Sequence, residues 1–473
     1  MPSSFWAGAF LLFILILLSN GLPFFWDNVL LSAKFAYAFY DTNFTTIWLP
    51  PEIDTGHPPF WGAYLALWWK AFGKTLWVSH LAMLPVLLWL WWQYWQLGRL
   101  LQLPANAWQW AAVFFFADPT LLSHMVLVNH EVLLAAAFLW GVRAIFLQKW
   151  HWLSLACIIL CAVSVRGILM VLLLFAIQIV YFLSKKERNY KTLLISIYPY
   201  MVAFIFSAVY HFSHYQKTGW MLFNPQSAAW GEHYQTMGFG QIFKQIIVYL
   251  KAYFDFGRIG IYSLLLWLFI RYRSSFLRIL KCPDFKFWGQ ACVVSIFLFA
   301  ALICWRNNPI IPRYFIAFFL WVQLIFLFLI FTIIPKPQKI LTGLAIFLFL
   351  GNFWIYPANI AQAWDCSLAH LPYHSLNRQM NNFVENAGIA YEEVGSEFPN
   401  MNAEYYTYLN EKKQRFGDKD VGLAHFKYII YSNVMNDFSE EELNDLQQNW
   451  ELVKKYQYFW VKIYLYKQVV NPS

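Results

Sequence analysis

The chain of 473 residues is 60% hydrophobic, and only 12% of its residues are charged. Soluble domains carry about 25% charged residues, so this composition excludes a soluble globular protein and indicates a protein of the lipid bilayer. The net charge of +9 does not indicate nucleic acid as a partner, because the lysines and arginines fall mainly in short loops between apolar runs, as the positive-inside rule expects.

Apolar runs alternate with short polar breaks from residue 5 to residue 357. Runs of this composition predict a polytopic α-helical membrane protein with about 11 transmembrane helices. No small-x-small cleavage site follows the first run, so we expect it to remain as a span rather than to be removed as a signal peptide. The predicted spans are 5–22, 76–97, 107–122, 131–148, 152–165, 168–183, 193–211, 258–271, 287–305, 314–334 and 340–357.

The basic residues set the predicted orientation, because Lys and Arg accumulate on the cytoplasmic side of a membrane. Those assigned to that side are Arg99, Lys149, the segments 185–191 and 271–286, Lys336 and Lys339. The N-terminus is then cytoplasmic, and the eleventh span ends on the outer side of the inner (plasma) membrane. The segments assigned to the outer, periplasmic side are 24–72, 124–131, 212–257, 306–313 and the C-terminal region.

Two domains are predicted, and residues 1–360 form the transmembrane one. Its outer loop, residues 23–75, gathers most of the polar residues near the first span. Segments 61–72 and 242–256 are too short or too amphipathic to cross a bilayer, so we expect interfacial helices there.

Residues 361–473 are more polar and predict a small soluble α/β domain on the outer side. Ser439 with Glu442 three residues later has the spacing of a capping box and predicts the start of a helix. Short strands are predicted at 428–432 and 460–466. No phosphate loop or catalytic triad is present in this domain, which favours a cap or an acceptor platform without chemistry of its own.

The outer loop carries the first candidate catalytic residue, Asp27, directly after Phe24-Phe25-Trp26. A carboxylate among aromatic side chains at the end of a span can act as a general base. The alternative is an ordinary polar residue that marks the end of a helix.

Asp54 and His57 lie in the segment Asp-Thr-Gly-His-Pro-Pro, where glycine permits a tight turn and the prolines fix the backbone. The pair could bind a hydroxyl group of a substrate or, with Glu131, a divalent metal ion, but two ligands do not make a metal site. A rigid turn with an exposed histidine is the alternative.

The six cysteines show no CxxC or Cys/His spacing, so neither a zinc motif nor a disulfide framework is predicted.

Charged residues recur on the outer side at the ends of later spans. Glu131 begins the fourth span, where a carboxylate at membrane depth costs free energy and therefore usually has a function or a partner. Arg166, Arg306 and Arg313 lie in outer-side hinges, against the positive-inside pattern. Guanidinium groups bind phosphate in a bidentate manner, so these arginines are candidate phosphate ligands. Structural arginines that reach toward the interface are the alternative.

The order of these landmarks resembles the GT-C glycosyltransferases. The landmarks are Asp27 after the first span, His57-Pro58-Pro59 in the outer loop, Glu131 at the fourth span, Arg166-Gly167, and Arg313-Tyr314 before the soluble tail. Within that class the chain looks most like the protein O-mannosyltransferase and aminoarabinose-transferase branch, over residues 1–360. The family often has an acidic residue after the first aspartate, where this chain has Asn28.

The resemblance implies transfer of a sugar from a polyprenyl-phosphate donor to a hydroxyl group of a lipid, protein or glycan acceptor, with inversion. On the matching positions, Asp27 becomes the general base and Glu131 the second acidic residue. Arg166 and Arg313 become donor-phosphate ligands, and a divalent metal ion is a candidate cofactor. We then expect Asp27, Glu131 and Arg313 to line one cavity. Two alternative functions remain. One is a transporter or flippase of lipid-linked saccharides, and the other is a polysaccharide polymerase or ligase.

Overall fold

The computed structural model describes residues 3–184, 194–222, 224, 237–305, 309–357 and 360–469. Helices dominate the chain up to about residue 353, and a small mixed sheet follows. The helices are α1 (Ser3–Ser19), α2 (Phe35–Asp41), α3 (Phe60–Phe72), α4 (Leu76–Leu100), α5 (Trp108–Ala117), α6 (Pro119–Val126), α7 (Glu131–Phe146), α8 (Trp150–Val163), α9 (Val165–Ser184), α10 (Tyr198–Thr218), α11 (Phe239–Phe254), α12 (Ile259–Arg271), α13 (Arg273–Lys281), α14 (Pro283–Ile303), α15 (Ile316–Ile333), α16 (Gln338–Leu350), α17 (Leu371–Asn386), α18 (Glu404–Thr407) and α19 (Glu440–Asn449).

Each predicted apolar segment overlaps a helix, but the segment 107–122 is not one helix. It divides into α5 and α6 at Asp118-Pro119. Proline lacks an N–H donor and disfavours helical backbone in the residue before it, so the first helix ends there. Asp118 then caps the second helix, because its side chain accepts a hydrogen bond of 3.0 Å from the Leu121 N–H.

The protein is a multi-pass membrane protein, although the predicted count of eleven spans is not confirmed. By length and composition, four helical segments of the described chain could cross a membrane: Leu76–Leu100, Val165–Ser184, Phe285–Ile303 and Pro312–Ile333. Two bent pairs could add one span each, α6 with α7 at 120° and α11 with α12 at 89°. The shorter apolar helices, such as α1 with 17 residues, rise about 1.5 Å per residue and fall short of a hydrocarbon core of about 30 Å.

The C-terminal part contains a five-stranded sheet in the order β2-β1-β3-β5-β4. The strands are β1 (Val394–Ser396), β2 (Gly417–Asp418), β3 (Tyr428–Ser432), β4 (Trp450–Tyr458) and β5 (Val461–Gln468). The first three are parallel, and β5 runs antiparallel to both β3 and β4. The predicted capping box is present, since Ser439 and Glu442 satisfy each other's backbone N–H groups. Strand β4 was not predicted, because the polar stretch after Trp450 lacks clear alternation.

The outer loop and the C-terminal part are packed together. The backbone N–H of Phe24 donates to the Thr407 carbonyl over 2.9 Å, and the Tyr37 hydroxyl donates to the Tyr405 carbonyl over 2.8 Å. Phe25 shares a hydrophobic cluster with the core of the C-terminal sheet. These contacts place the turn that carries Asp27 against the C-terminal part.

Candidate active site

Arg313 is the centre of a buried ion cluster. It lies in a single 3₁₀ turn, Pro312–Phe315, at the start of α15, and its side chain is buried. Its guanidinium group donates to carboxylate oxygens of Asp27 and Asp365, and its Nε lies 3.5 Å from Glu131 Oε1. Three acids from distant parts of the chain therefore meet at one arginine, whose forked donor geometry suits several carboxylates at once.

Asp27 is the accessible member of this cluster, with its side chain 31% exposed, whereas Glu131 is 4% and Asp365 0% exposed. Trp26, just before it, has a left-handed backbone with φ of 58°, a conformation that costs about 1–3 kcal/mol outside glycine and is concentrated at functional sites. A π-helical turn, Val29–Lys34, follows, and such turns are also frequent at functional sites. The local backbone thus holds the carboxylate at the edge of the cluster.

Glu131 is held by Arg166 in a bidentate pair, with bonds of 2.9 Å from Nη1 to Oε2 and 2.6 Å from Nη2 to Oε1. The carboxylate lies at the N-terminus of α7, where the helix dipole favours negative charge. The Arg166 guanidinium also stacks over the Tyr314 ring at 3.8 Å. The predicted second acidic residue and one predicted phosphate ligand are therefore partners of each other.

His57 contacts the hinge between α8 and α9. Its Nδ1 accepts a hydrogen bond of 3.2 Å from the Val165 N–H, the first backbone donor of α9, so the proton of the neutral ring is on Nε2. Burial, followed by the nearby Arg166 charge, lowers the pKa of His57 from 6.5 to about 3. The neutral ring therefore contributes stability above the ordinary histidine pKa, and this contribution is lost as the pH falls from 6.5 toward 3.

Gly167 lets this hinge close, and its replacement provides a test. A Cβ atom at Gly167 would lie 1.8 Å from the Leu160 carbonyl oxygen, so the α8–α9 turn would have to open. We expect Gly167→Ala to lower the free energy of unfolding by about 1–3 kcal/mol, as overpacking does. The measurement is thermal unfolding of the purified protein in detergent. Gly343→Ala is the matched control, because no atom lies within 4 Å of a Cβ there; equal effects of both substitutions would contradict the expectation.

Asp54 is bound to a residue that the sequence did not single out. Its Oδ2 lies 2.8 Å from His214 Nε2, and its Oδ1 accepts from the Gly56 N–H at 2.9 Å. Among the described residues, Asp54, His57 and Glu131 do not form a group of metal-ligating atoms. Asp54 and His214 are of the right type to hold a metal ion, but they supply two ligands only.

A cleft connects the charged groups. Glu131, Arg166, Arg313 and Tyr314 line it together with apolar side chains such as Phe299. Asp27 is not among the lining residues; it reaches the cleft through its contact with Arg313.

Arg306 lies outside the described residues, as does the basic segment 185–191.

Asp365 was missed by sequence reasoning, which left the C-terminal region without chemistry. It belongs to a 3₁₀ turn, Trp364–Cys366, that is anchored to α6 because the Ser123 hydroxyl donates to the Asp365 carbonyl at 2.7 Å. Its sequence signal is weak: an isolated acid between tryptophan and cysteine after the last apolar run.

A second buried ion pair was also missed. Arg258 donates to both carboxylate oxygens of Asp118, at 2.9 and 2.6 Å, and both side chains are 1% exposed. Gln323 lies 3.4 Å from the same carboxylate, and the Arg258 guanidinium packs over the Phe319 ring. The pair joins the break between α5 and α6 to the bend between α11 and α12, so we assign it a structural role.

No family model matches this chain, and no curated protein matches its sequence. Solved structures do match its fold. ArnT from Cupriavidus metallidurans in the apo state is 11% identical with a TM-score of 0.54, and the alignment covers 99% of this chain and 98% of that one. ArnT from the same organism bound to undecaprenyl phosphate is 12% identical with a TM-score of 0.54, and both chains are covered completely.

Arabinofuranosyltransferase AftD from Mycobacteria is 11% identical with a TM-score of 0.45, and the alignment covers 99% of this chain and 40% of that one. The match to ArnT over the whole length confirms the fold that the resemblance implied: a GT-C glycosyltransferase fold with a small C-terminal sheet domain.

Proposed function

We propose that this protein is an integral membrane glycosyltransferase that moves a sugar from a polyprenyl-phosphate carrier to an acceptor hydroxyl group on the outer face of the membrane. The observation that carries the proposal is the pairing of an accessible carboxylate, Asp27, with the buried Arg313, whose other partner Glu131 is also bound by Arg166. The GT-C fold supports it, since an ArnT structure with this fold contains undecaprenyl phosphate.

The chemistry follows from the residues. Asp27 takes the proton of the acceptor hydroxyl as the oxygen attacks the anomeric carbon. The bond between that carbon and the phosphate oxygen breaks, the configuration inverts, and polyprenyl phosphate leaves with the bonding electron pair. Only Oδ2 of Asp27 is bound to Arg313, and among the described residues no side chain or backbone group donates to Oδ1, which can face the acceptor.

The two arginines take different roles in this proposal. Three carboxylates (Asp27, Glu131, Asp365) against two guanidinium groups leave the cluster with one negative charge, which opposes an incoming phosphate. Arg166 is 16% exposed and Arg313 only 4%. We therefore assign the donor phosphate to Arg166, which exchanges part of its pairing with Glu131, while Arg313 holds Asp27 in place and stabilises the departing charge.

Transfer is tested with the purified full-length protein in detergent. Radiolabelled polyprenyl-phosphate sugars are incubated with the protein and a membrane extract, and the fraction that gains label is identified. We expect label to move covalently to a lipid, protein or glycan fraction. In sealed vesicles, label that crosses the bilayer still attached to its carrier would instead support the flippase alternative, and transfer of whole glycans would support a polymerase or ligase.

Arg166 gives a specific prediction for donor binding. Arg166→Ala should weaken the binding of undecaprenyl phosphate about 10- to 100-fold, because a hydrogen bond to a charged group contributes about 1.5–3 kcal/mol. Arg166→Lys should recover only part of this, since an ammonium group cannot form the bidentate contact.

The measurement is equilibrium binding of undecaprenyl phosphate to the detergent-solubilised protein. Arg143→Ala is the control. Arg143 is a half-buried arginine that contacts Gln93 and Trp152, and it lies at the end of α7 opposite to Glu131. An unchanged affinity in Arg166→Ala would remove Arg166 from the donor site.

A further inference from the structure

Beside the ion cluster lies a second group of polar side chains, which shares Asp365 with the cluster. His124 on α6 and Asp365 and Cys366 in the turn Trp364–Cys366 are all fully buried. One potential ligand atom from each lies within 4.8 Å of the others. We infer that these three side chains bind a Zn²⁺ ion, which fixes Asp365 and the C-terminal turn against α6. This inference does not depend on the proposed transferase activity.

The separation of the ligand atoms fits a tetrahedral zinc ion. Cys366 Sγ lies 3.5 Å from Asp365 Oδ1. Zn–S and Zn–O bonds of about 2.3 and 2.0 Å at a tetrahedral angle hold sulfur and oxygen about 3.5 Å apart. Asp365 Oδ1 accepts the hydrogen bond of the Cys366 thiol, and loss of that proton on metal binding leaves both atoms as ligands, while Arg313 binds the other oxygen, Oδ2. One carboxylate can therefore serve the arginine and the metal ion together.

His124 gives the second, independent observation. Neither of its ring nitrogens has a hydrogen-bond partner among the described residues. The nearby Asn129 side chain is already occupied, because its amide donates to the His124 and Leu127 carbonyls and its oxygen accepts from the Glu131 N–H. A buried polar group without a partner destabilises the fold, and a metal bond to one nitrogen offsets this cost.

His370 lies beside this group but is not part of it. It is fully buried, but its ring nitrogens are not among the ligand atoms that lie within 4.8 Å of one another. Its Nδ1 donates to the Ser367 carbonyl at 2.7 Å, and its Nε2 has no partner in the described part of the chain.

The donor set selects the metal. Thiolate and imidazole with one carboxylate suit Zn²⁺, whereas Mg²⁺ and Ca²⁺ prefer oxygen ligands only. Charge also favours the ion: Zn²⁺ with a Cys366 thiolate adds one positive charge, which balances the single negative charge of the neighbouring cluster. His124 and Cys366 are far apart in the sequence, so a spacing rule for zinc motifs does not detect this group.

The test measures metal in the full-length protein, purified through a tag without histidines and without chelators. We expect about one equivalent of zinc per chain by elemental analysis. His124→Gln and Cys366→Ser should reduce the content to background. Cys292→Ser, a buried free cysteine in α14 away from this group, should retain it.

A spectroscopic measurement on the unaltered chain keeps the test decisive where a variant does not fold. Wild-type protein is stripped with a chelator and reloaded with Co²⁺; a thiolate-to-cobalt charge-transfer band and the d–d bands of four-coordinate cobalt are expected. Zinc content that the His124 and Cys366 variants retain, or folded wild-type protein that takes up neither zinc nor cobalt, or cobalt bound without a thiolate band, would each overturn the inference.

Discussion

Asp27→Asn should lower sugar transfer by about 100- to 10,000-fold, the range that a general base contributes. Asparagine has the shape of aspartate and can still accept a hydrogen bond from Arg313, but it cannot take the proton of the acceptor hydroxyl. The residue is 31% exposed, so we expect the fold to survive the substitution. The measurement is the initial rate of label transfer at saturating donor, with thermal unfolding recorded on the same sample.

The matched control for this prediction is Asp41→Asn. Asp41 belongs to the same outer loop and is exposed at the end of α2, but it has no contact with the ion cluster. It should transfer sugar at the wild-type rate. A normal rate in Asp27→Asn would remove this residue from the role of base, and equal losses in both variants would indicate a general effect of charge in the loop.

Arg313→Ala should have the largest effect on stability. Its removal leaves the buried carboxylates of Glu131 and Asp365 without this partner, and breaking a buried ion pair costs about 3–5 kcal/mol. We expect a lower free energy of unfolding and no detectable transfer. Arg313→Lys should be intermediate, because one ammonium group cannot serve carboxylates in three directions. Thermal unfolding in detergent and the transfer assay give the two readouts.

Arg271→Ala is the control for this experiment. Arg271 is an exposed arginine at the end of α12, and substitutions at such positions usually change stability by about 0.5 kcal/mol or less. An Arg313→Ala protein as stable as the Arg271→Ala protein would show that the ion cluster contributes little to the fold. Normal stability with lost donor binding would instead assign Arg313 to the phosphate rather than to the structure.

The structure changes the interpretation of the arginines more than that of the acids. From the sequence, Arg166 and Arg313 were equivalent candidates for the donor phosphate. The structure separates them, since Arg166 has one carboxylate partner at the cleft and Arg313 has three around it. Donor binding at Arg166 and positioning at Arg313 are therefore distinct predictions, and the two variants can be compared directly.

The sequence by itself determined that this is an α-helical membrane protein, and it determined most of the local structure. Helices form from hydrogen bonds between residues four apart, so an apolar run was sufficient to predict α3 at Phe60–Phe72. The spacing of a capping box was sufficient to predict the helix after Ser439. The same runs placed Asp27, Glu131, Arg166 and Arg313 near the ends of predicted spans. The resemblance to the GT-C glycosyltransferases then predicted a role for each of them.

Only the tertiary structure decided which of these groups are partners. Asp27 and Arg313 are 286 positions apart, Asp54 and His214 are 160 apart, and Asp365 reaches the cluster from a region predicted to have no chemistry. Such pairs depend on how helix ends pack and on the high cost of leaving a charge buried and unpaired. Neither is encoded by local periodicity, which explains why His214, Asp365 and the His124–Cys366 group were found only in the folded chain.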